Sequence, residues 1–168
     1  MSDEQLKQCV RGRQGVDAVK ALLAAGANPN CYDYTPPAKV GRGWDADYFP
    51  YSMTSVLAMA VRSKDAQVVR ALLDAGADPT EGKRTGSSSF EDGCNRRDTA
   101  DHSESPMDIA LRMGLKEVAR ELMGDKAAAL SASTNLPGDL VESIMDEQIA
   151  TMQPAPRPEV RVYNQLNR

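Results

Sequence analysis

The residues of this chain best suited to metal binding lie together between positions 92 and 104. His102 is the only histidine, and one thiol, that of Cys94, and several carboxylates lie within ten residues of it. The carboxylates are those of Asp92, Asp98, Asp101 and Glu104. A structural metal site needs ligands at defined spacing on a backbone that holds them, and this set lacks such spacing. We therefore predict no metal site here.

Catalytic chemistry has little support in the rest of the sequence. A catalytic thiol is activated by a base held beside it, most often a histidine. The chain has three cysteines, Cys9, Cys31 and Cys94, and a single histidine. No glycine-rich phosphate-binding loop follows a predicted strand. Pairs of carboxylates fall on predicted exposed helix surfaces and in loops, where solvated charge is the ordinary interpretation. We predict that the protein is not an enzyme and has no catalytic residues and no bound cofactor.

Aromatic side chains are concentrated in residues 31–54, which hold six of the eight aromatic residues in the chain. They are Tyr32, Tyr34, Trp44, Tyr48, Phe49 and Tyr51. Tyrosine and tryptophan give large contact areas at low entropic cost and are enriched at interface hot spots. We predict that these six residues bind a protein partner. The alternative is that the rings fold back and cover the helices, and both roles are compatible if some rings anchor the segment while others face outward.

The elements that position this segment are copies of one helical unit, and residues 55–79 are its clearest copy. Two apolar stripes at helical spacing flank the polar residues 62–65, which predicts a helix, a tight turn and a second helix. The stripes contain Leu57, Ala60 and Val61, then Val68, Val69, Leu72 and Leu73. Asp65 is suited to cap the second helix, and Gly76 favours the left-handed conformation that ends many helices.

Two further copies of this unit flank residues 55–79, one on the N-terminal side and one on the C-terminal side. The third copy opens at Ser105, a favourable N-cap, followed by a proline at the first helical position and by Asp108, which can complete a capping box. The first copy ends at Gly26, and its opening matches the other two less well. The distance from Gly26 to Gly76 is fifty residues, and the same distance separates the openings of the second and third copies.

These copies resemble the ankyrin repeat. The segments VKALLAAGANPN and VRALLDAGADPT are similar to the second helix and exit of that family, and SPMDIALRMGLKEVARELM is similar to its opening followed by its second helix. Ankyrin repeats recur about every 33 residues, so each junction here carries roughly seventeen additional residues. The resemblance implies a protruding hairpin at each junction, beside a concave groove that suits protein partners.

The sequence therefore predicts an all-α fold, an ankyrin-like solenoid of three helix-turn-helix repeats with two long inserts and a C-terminal helix. The repeats are residues 2–30, 55–80 and 105–124 and the inserts are residues 31–54 and 81–104, all within an ankyrin-like domain of residues 1–134. We expect a loop or a short hairpin in the first insert, which glycine and proline interrupt repeatedly. The second insert is rich in glycine, serine and charge, and we expect a mobile loop.

The C-terminal part of the chain is divided between an amphipathic helix, residues 135–152, and a proline-led tail, residues 153–168. One face of the predicted helix carries its apolar residues, which are Leu136, Leu140, Val141, Ile144, Met145, Ile149 and Met152. Because the end of a repeat stack needs a cover with a polar outer face, we predict that this helix caps the third repeat. The alternative is a helix that binds in the groove of a partner.

Charge and cysteine content narrow the class of protein. The net charge is −4 and no basic face emerges, which gives nucleic-acid binding little electrostatic support. The three cysteines have no short paired spacing, and the acidic start resembles neither a secretory signal nor a transit peptide, which indicates reduced thiols. No apolar run approaches the roughly eighteen residues of a membrane span. We expect a soluble intracellular protein, in the cytoplasm.

The function favoured by these features is that of a non-catalytic protein–protein interaction module. It would serve as a scaffold or adaptor and bind a protein partner, not identified by the sequence, through the concave face and the aromatic insert. The alternative is a structural accessory subunit of a large multiprotein assembly, held by the C-terminal helix and tail. Removal of residues 153–168 distinguishes the two, since an adaptor loses little and a subunit fails to incorporate.

Overall fold

The computed structural model describes residues 2–36, 49–91, 95–124 and 138–154 of this chain, and the structural statements below concern those residues. The helices are α1 (Ser2–Arg11), α2 (Val16–Ala24), α3 (Val56–Ser63), α4 (Ala66–Asp74), α5 (Pro106–Arg112), α6 (Lys116–Leu122) and α7 (Gly138–Thr151). The strands are β1 (Tyr32–Thr35), β2 (Phe49–Ser55), β3 (Lys83–Glu91) and β4 (Asn95–Glu104).

The prediction of an all-α fold is wrong, because the two inserts contribute a four-stranded antiparallel sheet of order β1-β2-β3-β4. The fold is mixed, with helices and a sheet in one chain. Strands β1 and β2 pair with each other within the first insert, as a hairpin would. Strands β3 and β4 occupy most of the second insert, so the expectation of a mobile loop is also wrong for these residues.

Strands β3 and β4 were missed because their side chains lack the usual signal. A strand is recognised in a sequence by alternation of apolar and polar residues, which arises when one face of the sheet is buried. None of the strand residues 32–35, 51–55, 83–86, 103 and 104 belongs to the buried apolar core, and the polar sequences of β3 (KRTGSSSFE) and β4 (NRRDTADHSE) show no such alternation. Their order comes from backbone pairing, which is interrupted only by a register shift between Thr85 and Gly86.

The helices stack as three pairs, α1 with α2, α3 with α4 and α5 with α6. The first helices α1, α3 and α5 contact one another in one layer, and the second helices α2, α4 and α6 do so in another. The core between these layers is aliphatic, as its fully buried side chains Leu6, Val19, Val56, Leu57, Val61, Val69 and Leu72 show. The apolar residues predicted to face the core in α3 and α4 are all buried except Leu73, which is partly buried.

The predicted helix ends are confirmed. The Asp65 carboxylate accepts hydrogen bonds from the amides of Gln67 and Val68, and Ser105 and Asp108 form the capping box at the start of α5. Gly76 has a φ of 88°, the left-handed conformation predicted from its place after the last apolar pair of the unit. These signals are local in sequence, which is why they were readable without the fold.

The C-terminal helix α7 packs against α6. Val141, Met145 and Ile149, spaced four residues apart, are buried in this contact region. Arg120 of α6 donates two hydrogen bonds of 2.6 Å to the Asp146 carboxylate, which holds the pKa of that carboxyl below its usual value. The buried stripe is narrower than predicted: Leu140 and Met152 are exposed, and Leu136 lies outside the described residues.

One prediction concerns the close backbone approach at Gly82. A Cβ built on Gly82 would overlap the carbonyl oxygen of Glu104 and lie 2.9 Å from the Cα of Ser105. Both are backbone atoms that cannot rotate away, so Gly82→Ala should lower the free energy of unfolding by about 1–3 kcal/mol. The matched control is Gly124→Ala, because a Cβ there meets nothing within 4 Å. Equal stabilities of the two variants in urea unfolding would contradict the described approach.

A second prediction separates the buried and exposed faces of α7. Met145 is 4% exposed, so Met145→Ala should cost about 2–5 kcal/mol of stability. Leu140 is 47% exposed, so Leu140→Ala should change stability by less than about 0.5 kcal/mol. Thermal unfolding of both variants decides the matter, and similar losses from both would show that α7 packs by a different face.

Candidate partner-binding site

The sheet is joined to the helices without linkers. Ser55 is the last residue of β2 and also the N-cap of α3, where its hydroxyl accepts a hydrogen bond from the Ala58 amide. Likewise, β4 ends at Glu104, next to the N-cap Ser105 of α5. The Ser55 amide donates to the Gly82 carbonyl at 3.0 Å, which ties the start of β3 to the same junction. The orientation of the sheet is therefore set by the helices.

The strand register divides the side chains near this junction between two faces, because successive residues point to opposite sides. We call one the groove-side face; it carries Asp33, Thr54, Lys83 and Glu104 in one cross-strand row and Thr35, Ser52 and Thr85 in the next. We call the other the aromatic face; it carries Tyr32, Tyr34, Tyr51, Met53 and Arg84.

The groove-side face turns toward the first helices. Asp33 of β1 lies 2.5 Å from the guanidinium of Arg11 in α1. Glu104 of β4 lies 2.6 Å from the guanidinium of Arg112 in α5, and the Glu104 side chain is only 7% exposed. These two ion pairs place the row of four residues beside the C-terminal ends of the first helices, at the side of the molecule where the resemblance to ankyrin repeats implies a groove.

The aromatic face is anchored by Tyr32. Its hydroxyl donates a hydrogen bond of 2.7 Å to Glu81, and Glu81 in turn accepts from Arg84 at 2.6 Å. Burial, followed by the hydrogen bond to the Glu81 carboxylate, raises the pKa of Tyr32 to about 12. Tyr32 therefore serves as an internal contact, the anchoring role that the sequence left open for part of the aromatic set.

Tyr34 and Tyr51 have different surroundings. Tyr34 is 47% exposed and lies opposite Met53 in the register, and Tyr51 and Met53 are half-buried. A partly exposed ring with apolar neighbours on a sheet face is a suitable anchor for a partner. Tyr34 and Tyr51 lie on the face of the sheet opposite to the groove-side face. The concave face and the aromatic insert, which the sequence analysis named together as the binding site, are therefore not parts of one continuous surface.

The remaining predicted binding residues are only partly covered by the structure. The backbone of Phe49 pairs opposite Ser88 at the start of β2. Trp44 and Tyr48 lie outside the described residues. Sequence reasoning missed the groove-side row altogether, although the fifty-residue spacing that relates the second and third copies also relates Thr54 to Glu104 and was available as a signal.

Residues with metal-binding or nucleophilic chemistry are scattered. The backbone of His102 lies in β4 opposite Thr85, and Cys94 lies outside the described residues. Within the described part of the chain, no group of three or more histidine, cysteine or acidic side chains is arranged to hold a metal ion. Burial raises the pKa of the Cys9 and Cys31 thiols, which lowers their thiolate fraction.

A shallow cleft lies on the opposite side of the molecule, between α4 and α6. Its volume is about 210 Å³, below the roughly 300–1,000 Å³ of typical small-molecule sites. Arg70 crosses it and contacts Asp74 at 3.0 Å and Glu121 at 3.1 Å. Because these charges already pair with one another, the cleft is a weaker candidate than the two faces of the sheet.

Comparison with known proteins does not identify a family for this chain. No protein-family model matches the chain, and no curated protein matches it in sequence. No helix within the described ranges is both long enough and apolar enough to cross a membrane. The resemblance to ankyrin repeats stays a prediction that depends on the quoted motifs.

A third prediction concerns the titration of Tyr32. Its folded-state pKa of about 12 exceeds the ordinary value of 10.0, so the folded protein keeps a proton that the unfolded chain releases between these values. The resulting stabilisation is complete below pH 10 and is lost as the pH rises toward 12. Glu81→Gln removes the charged acceptor and should lower the pKa of Tyr32, as measured from tyrosinate absorbance by difference against Tyr32→Phe. An unchanged titration in Glu81→Gln would contradict the described contact.

Proposed function

We propose that this protein is a non-catalytic interaction module, a scaffold or adaptor that binds a protein partner through the groove and the aromatic face. The observation that carries the proposal is that, of the strand residues whose burial the structure describes (32–35, 51–55, 83–86, 103 and 104), none belongs to the buried apolar core. The described core is formed by the helices, with alanines from adjacent turns. A sheet whose described side chains stay outside that core is well suited to present its faces to another molecule.

The geometry of the helices supports the same function. The three helix pairs coincide with the three segments that resemble ankyrin repeats, and their first helices line the side toward which the groove-side face turns. Stacked repeats of this kind provide extended surfaces assembled from neighbouring units. The polar row of the groove-side face and the exposed ring of Tyr34 then give such a surface chemical specificity.

A structural role in a larger assembly is the second candidate, and two exposed apolar side chains favour it. Leu140 and Met152 lie near the two ends of the C-terminal helix segment and are not covered by the described residues. Most of the apolar face of α7 is already used, since Val141, Met145 and Ile149 are buried. Loss of assembly after deletion of residues 153–168, with unchanged folding and unchanged partner binding, would favour this candidate.

The interaction function is tested by comparing variants that differ only in one exposed side chain. Tyr34→Ala removes the exposed ring of the aromatic face, and Met113→Ala is the control, because Met113 is an exposed apolar residue in the turn between α5 and α6. Immobilised wild type and both variants are exposed to a lysate of the encoding organism, and bound proteins are identified by mass spectrometry.

The proposed function predicts a protein that wild type and Met113→Ala retain and that Tyr34→Ala retains poorly. With that partner purified, Tyr34→Ala should weaken the dissociation constant by about thirtyfold, the equivalent of about 2 kcal/mol for a hot-spot residue. Its melting temperature should stay near that of wild type, because Tyr34 is largely solvent-exposed. Identical sets of retained proteins from all three samples would contradict a role for the aromatic face.

A further inference from the structure

Three arginines occupy equivalent positions in the helical stack. Arg11, Arg62 and Arg112 lie in the last turns of α1, α3 and α5, the first helix of each pair. Arg62 precedes Arg112 by fifty residues, the spacing of the helical units, and follows Arg11 by fifty-one, one residue more than that spacing. The last turns of the three first helices therefore carry one arginine per helix pair.

The two outer arginines are neutralised by the groove-side face. Arg11 pairs with Asp33, and Arg112 pairs with Glu104. Glu104 immediately precedes the N-cap Ser105, and the helix of seven residues that follows brings Arg112 back beside it. The contact is thus a product of the strand–helix junction together with an acidic residue immediately before the N-cap.

The middle unit has the same junction and a different residue. Thr54 precedes the N-cap Ser55 as Glu104 precedes Ser105, and it stands fifty residues before Glu104, as Arg62 stands fifty before Arg112. A hydroxyl therefore takes the place of the carboxylate next to Arg62. The cross-strand neighbour of Thr54 is Lys83, which adds a second cation.

Neither of these two cations forms an ion pair in the described part of the chain, although Lys83 lies opposite Glu104 in the strand register. Arg62 is exposed and Lys83 is half-buried, and neither forms an ion pair with another described residue. Along the groove, three arginines and Lys83 face two carboxylates, those of Asp33 and Glu104, which leaves a local excess of two positive charges. The whole chain has a net charge of −4, so this excess is a local feature.

We propose that Arg62, Lys83 and Thr54 form a subsite for an acidic side chain, an aspartate or glutamate of an extended segment of the protein partner. The guanidinium offers two parallel donors to a carboxylate, and the ammonium and hydroxyl supply further donors. This inference rests on the proposed interaction function. It adds that the proposed groove prefers partners with an acidic side chain at this position. The partner's carboxylate takes the position that Glu104 occupies in the third unit.

The adjoining row of the groove-side face suits the main chain of such a segment. Thr35, Ser52 and Thr85 lie two residues farther along the strands, about 7 Å from the row that contains Thr54. Their hydroxyls donate and accept hydrogen bonds, as the amides and carbonyls of an extended peptide require. The subsite thus lies at the base of a hydroxyl-lined face that is open to an extended chain.

The test is selection from a displayed library of random twelve-residue peptides against the full chain, followed by affinity measurement with one selected peptide. Arg62→Gln removes the central cation, and Thr54→Glu supplies an internal carboxylate in the position that Glu104 occupies. The matched controls are Lys20→Gln, which removes an exposed cation from α2, and Ser103→Glu, which adds the same charge on the aromatic side of the sheet.

The proposal predicts that wild type selects peptides enriched in aspartate and glutamate. Arg62→Gln and Thr54→Glu should each weaken the selected peptide about tenfold or more, and the two controls should leave the dissociation constant within about twofold. Thr54→Glu should remain folded, because its carboxylate gains Arg62 and Lys83 as neighbours, which offset repulsion from Asp33 on the opposite strand.

Three results would overturn the proposal. Selected peptides without acidic enrichment would refute the subsite and leave the interaction function standing. Acidic peptides that bind Arg62→Gln and Thr54→Glu as tightly as wild type would show that the carboxylate binds elsewhere on the protein. Failure of wild type to select any peptide would count against both the subsite and the interaction function from which it follows.

Discussion

The direct junction between strand and helix is the constraint on which the rest of the structure depends. Ser55 ends β2 and caps α3, and Glu104 ends β4 immediately before the cap of α5. The Val56 amide donates to the Cys31 carbonyl and the Ser55 amide to the Gly82 carbonyl, so β1 and β3 begin at the same point. With no linker to rotate about, the sheet takes its orientation from the helices, and Gly82 provides the space where the backbones meet.

This constraint gives the two faces of the sheet different chemistry. One face turns toward the first helices and exchanges charge with them through Asp33 and Glu104. The other holds Tyr32 against Glu81 and leaves Tyr34 largely exposed. The described apolar core lies between the two layers of helices, and none of the face residues named here belongs to it. A partner that contacts the groove-side face and a partner that contacts the aromatic face would therefore meet opposite sides of one sheet.

The features that sequence predicted correctly are those whose cause lies within a few residues. The caps Asp65 and Ser105 and the left-handed Gly76 depend on neighbours one turn away. The sheet depends on pairing between inserts: Met53 lies opposite Arg84, and the Tyr32 hydroxyl meets Glu81, forty-nine residues away. Residues whose partners are that distant carry no local signal, and the polar sequences of β3 and β4 lack the alternation that reveals ordinary strands.

The central claim is that the second insert is an ordered part of the sheet, fixed to the helices. Amide hydrogen exchange, followed by mass spectrometry on peptides that cover β3 and β4, tests it most directly. Backbone pairing predicts that amides of Lys83–Glu91, a central strand, exchange at least about a hundredfold more slowly than those of an unstructured chain. Exchange of this segment at the unstructured rate, while α3 and α4 stay protected, would contradict the sheet and with it both faces described above.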